Sequence, residues 1–373
     1  MTGSRGRPGR RALLAAIGAA SLFAVPGALA QNRPQTRNVV LIVSDGLRWQ
    51  EVFGGAADSL IAKAQGVEDT TAMRQLFGGR NTTDARHALM PFFWEVVARN
   101  GVVFGDRALG SDAHVTNGMK FSYPGYNEMM AGFGDPRIDR NEFGPNPNTT
   151  VFEWLNRQGD FSGRVSAYAT WDAFRDIFAR SRTGLWVRAG WEAPFPSAIN
   201  DRQRVLDDLY GTTTRYWTDN TPDALLHASV LEYIRMRKPR VLFVGYGETD
   251  EWAHERRYDL YLQAAHSVDA FIGDLWNTMQ GMDEYRGTTT FLITADHGRG
   301  SNAANWTDHG RRVDGAENIW LAVMGPDTPP SGEIRGGMVT QSQIAATIAA
   351  LLGMDFNAAS PQAARPIAGA IGR

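Results

Sequence analysis

Three aspartates stand just past apolar runs, and that placement is where the chemistry of this sequence begins. Val39-Val40-Leu41-Ile42-Val43 leads into Ser44-Asp45-Gly46, the run 240–245 leads into Tyr246-Gly247-Glu248-Thr249-Asp250, and the run 288–294 leads into Ala295-Asp296-His297-Gly298. A single aspartate after a strand is ordinarily a turn or capping residue. Three brought to one edge repel one another and stay ionised together only with a cation between them. The histidines strengthen that reading. Asp250 and His254 are four apart, on one face of a helical turn, and can hold one ion. Asp296 and His297 are adjacent at a turn, able to face one metal together or two neighbouring ones. His309 lies in the polar, glycine-flanked loop Thr307-Asp308-His309-Gly310. Carboxylate and imidazole without thiolate suit Zn²⁺ or Mn²⁺ in a two-metal site better than Mg²⁺, which is held mainly by oxygens. His87, His114, His227 and His266 are read as structural.

A nucleophile candidate lies between these motifs. The segment from Phe121-Ser122-Tyr123-Pro124-Gly125-Tyr126 to Gly132 places a serine at the N-cap of a short apolar helix. Free N–H groups there favour both a deprotonated hydroxyl and an anionic ligand. Metal coordination would convert the hydroxyl to an alkoxide at neutral pH, replacing the histidine base of a triad. By itself the segment is better explained as a simple capping serine; the acids and histidines lift it above that.

Positioning these groups requires a sheet. The β-branched run 39–43 has the pattern of a strand buried on both faces. Further strands are expected at 164–169, 240–245, 288–294 and 318–324. Helices are expected at 89–99, 150–157, 222–237, 255–279 and 342–352. Helices alternating with apolar strands predict an α/β fold with a mostly parallel sheet. In such a sheet ligands bind beyond the carboxyl ends of the strands, where the aspartates fall. Residues 171–220 are aromatic-rich and irregular, read as an insertion over the sheet that serves as a packing element or a substrate lid.

The chain has 373 residues, 38 Lys+Arg, 40 Asp+Glu and no cysteine. That excludes a disulfide framework, thiolate zinc sites and a cysteine nucleophile, and the charge balance argues against nucleic acid as a partner. Arg5, Arg7, Arg10 and Arg11, an apolar run from Ala12 to Val25 and Ala28-Leu29-Ala30 read as a signal peptide over residues 1–30. The apolar run is too short to span a bilayer. Cleavage leaves 34 basic against 40 acidic residues, a soluble, exported chain with no membrane anchor. A flexible leader is expected at 31–37 and one catalytic domain at 38–373.

Taken together these residues resemble the alkaline phosphatase superfamily, in particular its phosphodiesterase/nucleotide pyrophosphatase-like branch. That family has a strand ending in Asp-Gly, here Asp45-Gly46. Its nucleophile segment reads Thr-Phe-Pro-Asn-His and closes on a glycine, here Ser122-Tyr123-Pro124-Gly125-Tyr126 closing on Gly132. Its Asp-x-x-x-His is matched by Asp250 and His254, its Asp-His-Gly by Asp296, His297 and Gly298, and its last His-Gly by His309 and Gly310. The resemblance spans residues 38–325 and implies a three-layer α/β/α fold around a mostly parallel sheet. It also implies a metal-dependent phosphoric ester hydrolase that acts on a small-molecule phosphate ester with two Zn²⁺. One ion would be held by Asp250, His254 and His309, the other by Asp45, Ser122, Asp296 and His297. Ser122 would attack phosphorus in line to give a phosphoserine, with Asn141 and Tyr123 contacting the substrate. Serine replaces the branch's more usual threonine, and Gly125-Tyr126 replace its Asn-His. Arg175 and Arg182 are the candidates for a phosphate-clamping arginine.

Three other readings compete. A sulfatase-like sulfuric ester hydrolase is disfavoured by Tyr126, which stands where a formylglycine-forming motif needs arginine. A cofactor-independent phosphomutase relative is disfavoured by the export signal and by the lack of an inserted transferase domain. A catalytically inactive metal-binding protein is disfavoured by the complete ligand set with Ser122.

Overall fold

Asn38–Ser44 (β1) is buried at every residue in the computed structural model. Burial on both faces requires strands on either side and helices above and below, and that surrounding is what the rest of the chain builds. The structure describes residues 1–3, 34–78 and 81–372. Contacts divide the chain into Met1–Arg33 and Pro34–Arg373, and the architecture is that of the second unit. The expected signal peptide lies, after its first three residues, outside the described residues. Of the expected leader, Gln35 to Arg37 are held rather than loose. The Gln35 and Thr36 N–H groups donate to the Asp327 carboxylate at 3.1 and 2.7 Å, and Arg37 N–H donates to the Thr288 carbonyl.

The remaining strands, in chain order, are Gly101–Phe104 (β2), Asp112–His114 (β3), Val165–Ala169 (β4), Trp186–Ala189 (β5), Val241–Tyr246 (β6), Thr289–Thr294 (β7), Leu321–Met324 (β8), Gly332–Glu333 (β9) and Met338–Thr340 (β10). An eight-stranded sheet runs β5-β4-β6-β1-β7-β8-β2-β9, and β10 pairs with β3 in a small second sheet. The five strands from β5 to β7 are mutually parallel. β8 is antiparallel to both of its neighbours. Alternation along each strand sorts the core into two layers. Val40, Ile42, Leu242, Val244, Phe291 and Ile293 face one. Val39, Leu41, Val43, Val241, Phe243 and Leu292 face the other. The first layer is covered by the helices Asp223–Arg237 and Tyr258–Gln280, the second by Ser122–Ala131, Val151–Asn156 and Ile344–Leu351.

Two local departures from the sequence expectation have clear causes. The helix expected at 89–99 is instead a helix Thr82–Leu89, a π-helical turn Phe93–Val97 and a last turn Ala98–Asn100. Pro91 has no N–H to continue the first helix. The Asp269 carboxylate accepts the N–H groups of Phe92 and Phe93 at 2.8 and 2.7 Å and starts the next. Within the aromatic stretch 171–220, Trp186–Ala189 joins the main sheet as its edge strand and Asp201–Thr212 forms a helix. No helix among the described residues is long and apolar enough to cross a membrane.

Candidate metal centre and nucleophile

The three aspartates converge because β6, β1 and β7 are adjacent. Ser44 pairs with Tyr246 and Val43 with Thr294, so the three chains leave the sheet side by side at one edge. At about 4.8 Å between strands, their first polar residues fall within one another's reach. Asp45 follows β1 directly and Asp296 comes two residues after β7. Asp250 sits in the first turn of the helix Glu248–His254 that follows β6. Gly46 has φ +58° and carries the chain between Asp250 and Arg299; a Cβ there would lie 2.7 Å from Asp250 Oδ1. Glycine is thus required for both conformation and space.

His297 stands at the centre. Its Nε2 is 3.4 Å from Asp45 Oδ1, 3.5 Å from Asp296 Oδ2, 3.7 Å from Asp250 Oδ1 and 3.4 Å from Ser122 Oγ. His254 Nε2 lies 3.0 Å from both Asp250 Oδ2 and His309 Nε2. His309 Nε2 is 3.9 Å from Asp250 Oδ1. Two groups have the compactness of an ion's donor set: Asp45, Asp296 and His297, and Asp250, His297 and His309. Every metal-ligand position named from the sequence, Ser122 included, is therefore brought to one place.

The electrostatics of the protein atoms fit divalent cations. Burial, and then repulsion from Asp45, push the Asp296 carboxyl up to about 8. Burial works against charge on His297, but Asp296 and Asp45 outweigh it and push its imidazole up to about 9. Burial, and then His297, hold His254 and His309 below the usual histidine range. Asp45 Oδ1, Asp296 Oδ2 and His309 Nδ1 are buried with no hydrogen-bond partner among the described residues. Crowded, unmatched carboxylate and imidazole atoms of this kind are donors suited to a borderline divalent cation.

Surrounding residues fix the donors. Tyr126 donates its hydroxyl to Asp45 Oδ2 at 2.8 Å, Gly46 N–H donates to Asp296 Oδ1 at 3.0 Å, and Thr249 Oγ1 donates to the Asp45 carbonyl at 2.6 Å. Arg299, fully buried two residues past His297, gives its guanidinium to the Thr307 carbonyl and to both the carbonyl and Oδ1 of Asp250. Burial pulls this guanidinium down to about 9. Sequence reasoning passed over Arg299; its one local signal is a cation placed directly after Asp-His-Gly.

Ser122 is the first residue of the helix Ser122–Ala131, and Phe121 takes the cap position. The far end of that helix is pinned by Glu128, whose carboxylate accepts N–H groups from Thr116, Asn117 and Ser342. Asn141 lies at the start of this helix, its Oδ1 accepting the Tyr123 N–H at 3.1 Å, and lines the same cavity as Ser122. Tyr123 contributes that N–H and not its ring. The ring is fully buried in the second core layer, with its hydroxyl donating to the Gly144 carbonyl at 2.5 Å. Arg182 is spent on Glu153 and on the Asn146 and Asn148 carbonyls. Arg175 does line the cavity, but its Nη2 is paired with Asp172 at 2.6 Å.

Residues 187–356 match the model of the metalloenzyme superfamily. Asp250, His254, Asp296, His297 and His309 fall inside that match; Asp45 and Ser122 precede it. Among solved structures the fold is similar to alkaline phosphatase PafA, at 12% identity over 91% of this chain and 99% of that one, with a TM-score of 0.57. It is also similar to a protein of the alkaline phosphatase superfamily from Vibrio parahaemolyticus, at 13% identity over 87% and 68% of the two chains, TM-score 0.51. A third is murine ectonucleotide pyrophosphatase/phosphodiesterase 5, an inactive form in complex with AMP, at 10% identity over 89% and 97%, TM-score 0.50. No curated protein matches the sequence. The fold is thus alkaline phosphatase-like, and its 187–356 segment matches the metalloenzyme superfamily model.

Proposed function

We propose that this chain is an exported two-metal hydrolase of phosphate esters that uses Ser122 as nucleophile, with a preference for diesters. The observation that carries the reading is the convergence of two carboxylate-imidazole donor groups beside the Ser122 hydroxyl. Asp250, His254 and His309 would hold one ion, and Asp45, Ser122, Asp296 and His297 the other. Two bound Zn²⁺ ions would supply Lewis-acid activation of the serine and of the leaving oxygen.

The chain's own residues do the rest. The Ser122 helix sets Ser122 in the wall of the cavity, from which the ester would approach, and Asp296 and His297 are fully buried. A new Oγ–P bond forms as the P–O bond to the alcohol breaks, and water then cleaves the phosphoserine. Asn141 would give its amide N–H to a phosphoryl oxygen; its Oδ1 accepts the Tyr123 N–H, which leaves that amide as its remaining polar group. The proposal of export rests on residues 1–30, whose arginines and apolar run have the form of a cleaved signal.

The test is metal content and ester specificity of the purified mature protein. Two zinc per chain, with Ser122→Ala abolishing hydrolysis of p-nitrophenyl phosphate mono- and diesters, is the expected result. Full activity in Ser122→Ala would overturn the nucleophile assignment. A preference for p-nitrophenyl sulfate would favour the sulfatase-like reading, and bound metal without turnover would favour an inactive binder.

A further inference from the structure

Of the two donor groups, one is built into the sheet edge and the other is not. Asp45, Asp296 and His297 stand close behind the ends of β1 and β7, and all three are buried. Asp250 and His254 come from the helix Glu248–His254, whereas His309 comes from the stretch 299–317, which has no helix or strand of its own. Their convergence is nevertheless tight, with His254 Nε2 at 3.0 Å from both Asp250 Oδ2 and His309 Nε2. Something must tie that stretch to the helix.

Arg299 supplies the tie. It is fully buried, and its side-chain hydrogen bonds among the described residues run from Nη1 to the Thr307 carbonyl and from Nη2 to the carbonyl and Oδ1 of Asp250. Two nitrogens of one rigid plane therefore hold both the turn that carries Asp250 and the residue two places before His309. Gly300 N–H donates to the Asp308 carbonyl at 2.9 Å and closes the loop between Arg299 and His309. The plane is also seated from below: a Cβ on Gly46 would lie 2.8 Å from Arg299 Nε and 3.0 Å from Nη2. With Asp250 Oδ1 taken by the guanidinium, Oδ2 is the oxygen turned to His254. A buried guanidinium is costly unless it is matched, and every hydrogen bond that matches this one lies on the Asp250 and His309 side of the centre.

We propose that Arg299 is a positioning residue for one ion of the pair. It fixes Asp250, His254 and His309 as a donor set and has no such part in the set of Asp45, Asp296 and His297. This deepens the two-ion reading of the site and rests on it.

Arg299→Lys tests the proposal. Lysine keeps the buried charge but puts one nitrogen where the three hydrogen bonds use two. A neutral side chain would mix loss of position with relief of repulsion between the guanidinium and the ions, two effects of opposite sign. The zinc-loaded protein is challenged with chelators of increasing strength, and the zinc retained per chain is counted. The expected result is that one zinc of Arg299→Lys is held about 10- to 100-fold more weakly than in wild type, while the other is held as before. His254→Ala in the same chain should act on the zinc that Arg299→Lys has weakened, and Asp45→Asn on the one it has spared. Weakening of both zinc ions alike, or of neither, overturns the proposal. So does a metal-free Arg299→Lys that lacks the cooperative urea transition of wild type, because Arg299 would then serve the fold and not the ion. A wild type that holds fewer than two zinc brings down the two-ion reading and the proposal with it.

Discussion

Gly125→Ala sets two effects of opposite sign against each other. Gly125 lies in the helix that begins at Ser122. In an unobstructed helix, alanine in place of glycine would stabilise by about 1 kcal/mol. Here a Cβ would sit 2.5 Å from the Asp296 carbonyl oxygen, against 3.4 Å for ordinary contact, so about 0.9 Å must be made up. The carbonyl cannot easily withdraw, because Gln341 Nε2 holds it at 2.7 Å. Overpacking of this kind costs about 1–3 kcal/mol, so after a propensity gain of about 1 kcal/mol the net loss is about 0–2 kcal/mol. The displacement separates Ser122 from Asp296, the two groups the site must hold together, and a misplacement of about 1 Å can cost on the order of 10²-fold in rate. Urea unfolding and Ser122-dependent p-nitrophenol release measure the two consequences. A variant more stable than wild type with undiminished activity would refute the close-approach argument.

Three further outcomes follow from the same geometry. Tyr126→Phe removes the hydrogen bond to Asp45 Oδ2 and should weaken metal retention about 10- to 100-fold, read by chelator competition; unchanged retention would count against an orienting role. Glu51→Gln leaves the fully buried Arg48 without its carboxylate partner and should cost about 3–5 kcal/mol in urea unfolding, a loss under 1 kcal/mol being contrary to this account. Burial holds the His227 imidazole down at about 4, against 6.5 for the free group. The unfolded chain therefore takes up the proton first, and stability that is complete above pH 6.5 declines toward pH 4, by at most about 1.4 kcal/mol per pH unit. His227→Phe should flatten that decline, and an equal decline in wild type and variant would show that His227 does not cause it.

The three aspartates were legible because each comes shortly after an apolar run, and such runs become central strands whose ends share an edge. β1, β6 and β7 are buried along their whole length around such runs. β2 has four residues and β5 lies among aromatic residues; neither offers a period long enough to separate it from loop. Tyr126 could be seen as a departure from the family pattern, but its partner is 81 positions away, a relation that local spacing does not encode. Tyr123 failed in the other direction. The resemblance implied a substrate contact for it, whereas successive helical residues point about 100° apart, and its ring lies in the core.

Charge at the cavity also bears on the choice between diester and monoester. The donor carboxylates would be matched by the cations they hold, but those of Glu142, Asp176 and Asp219 have no such match. A monoester dianion brings one more negative charge into their field than a diester does. At an effective dielectric of 20, a charge on the order of 10 Å from a carboxylate is repelled by about 1–2 kcal/mol before screening. One such contact is enough for roughly a tenfold preference, and salt reduces it for groups at the open rim. The ratio of kcat/KM for bis-p-nitrophenyl phosphate over p-nitrophenyl phosphate should therefore exceed unity at low ionic strength and fall as salt is added. Monoester preference that strengthens as salt is removed would mean that the acidic wall does not face the phosphoryl group, and the cavity would have to be entered from another side.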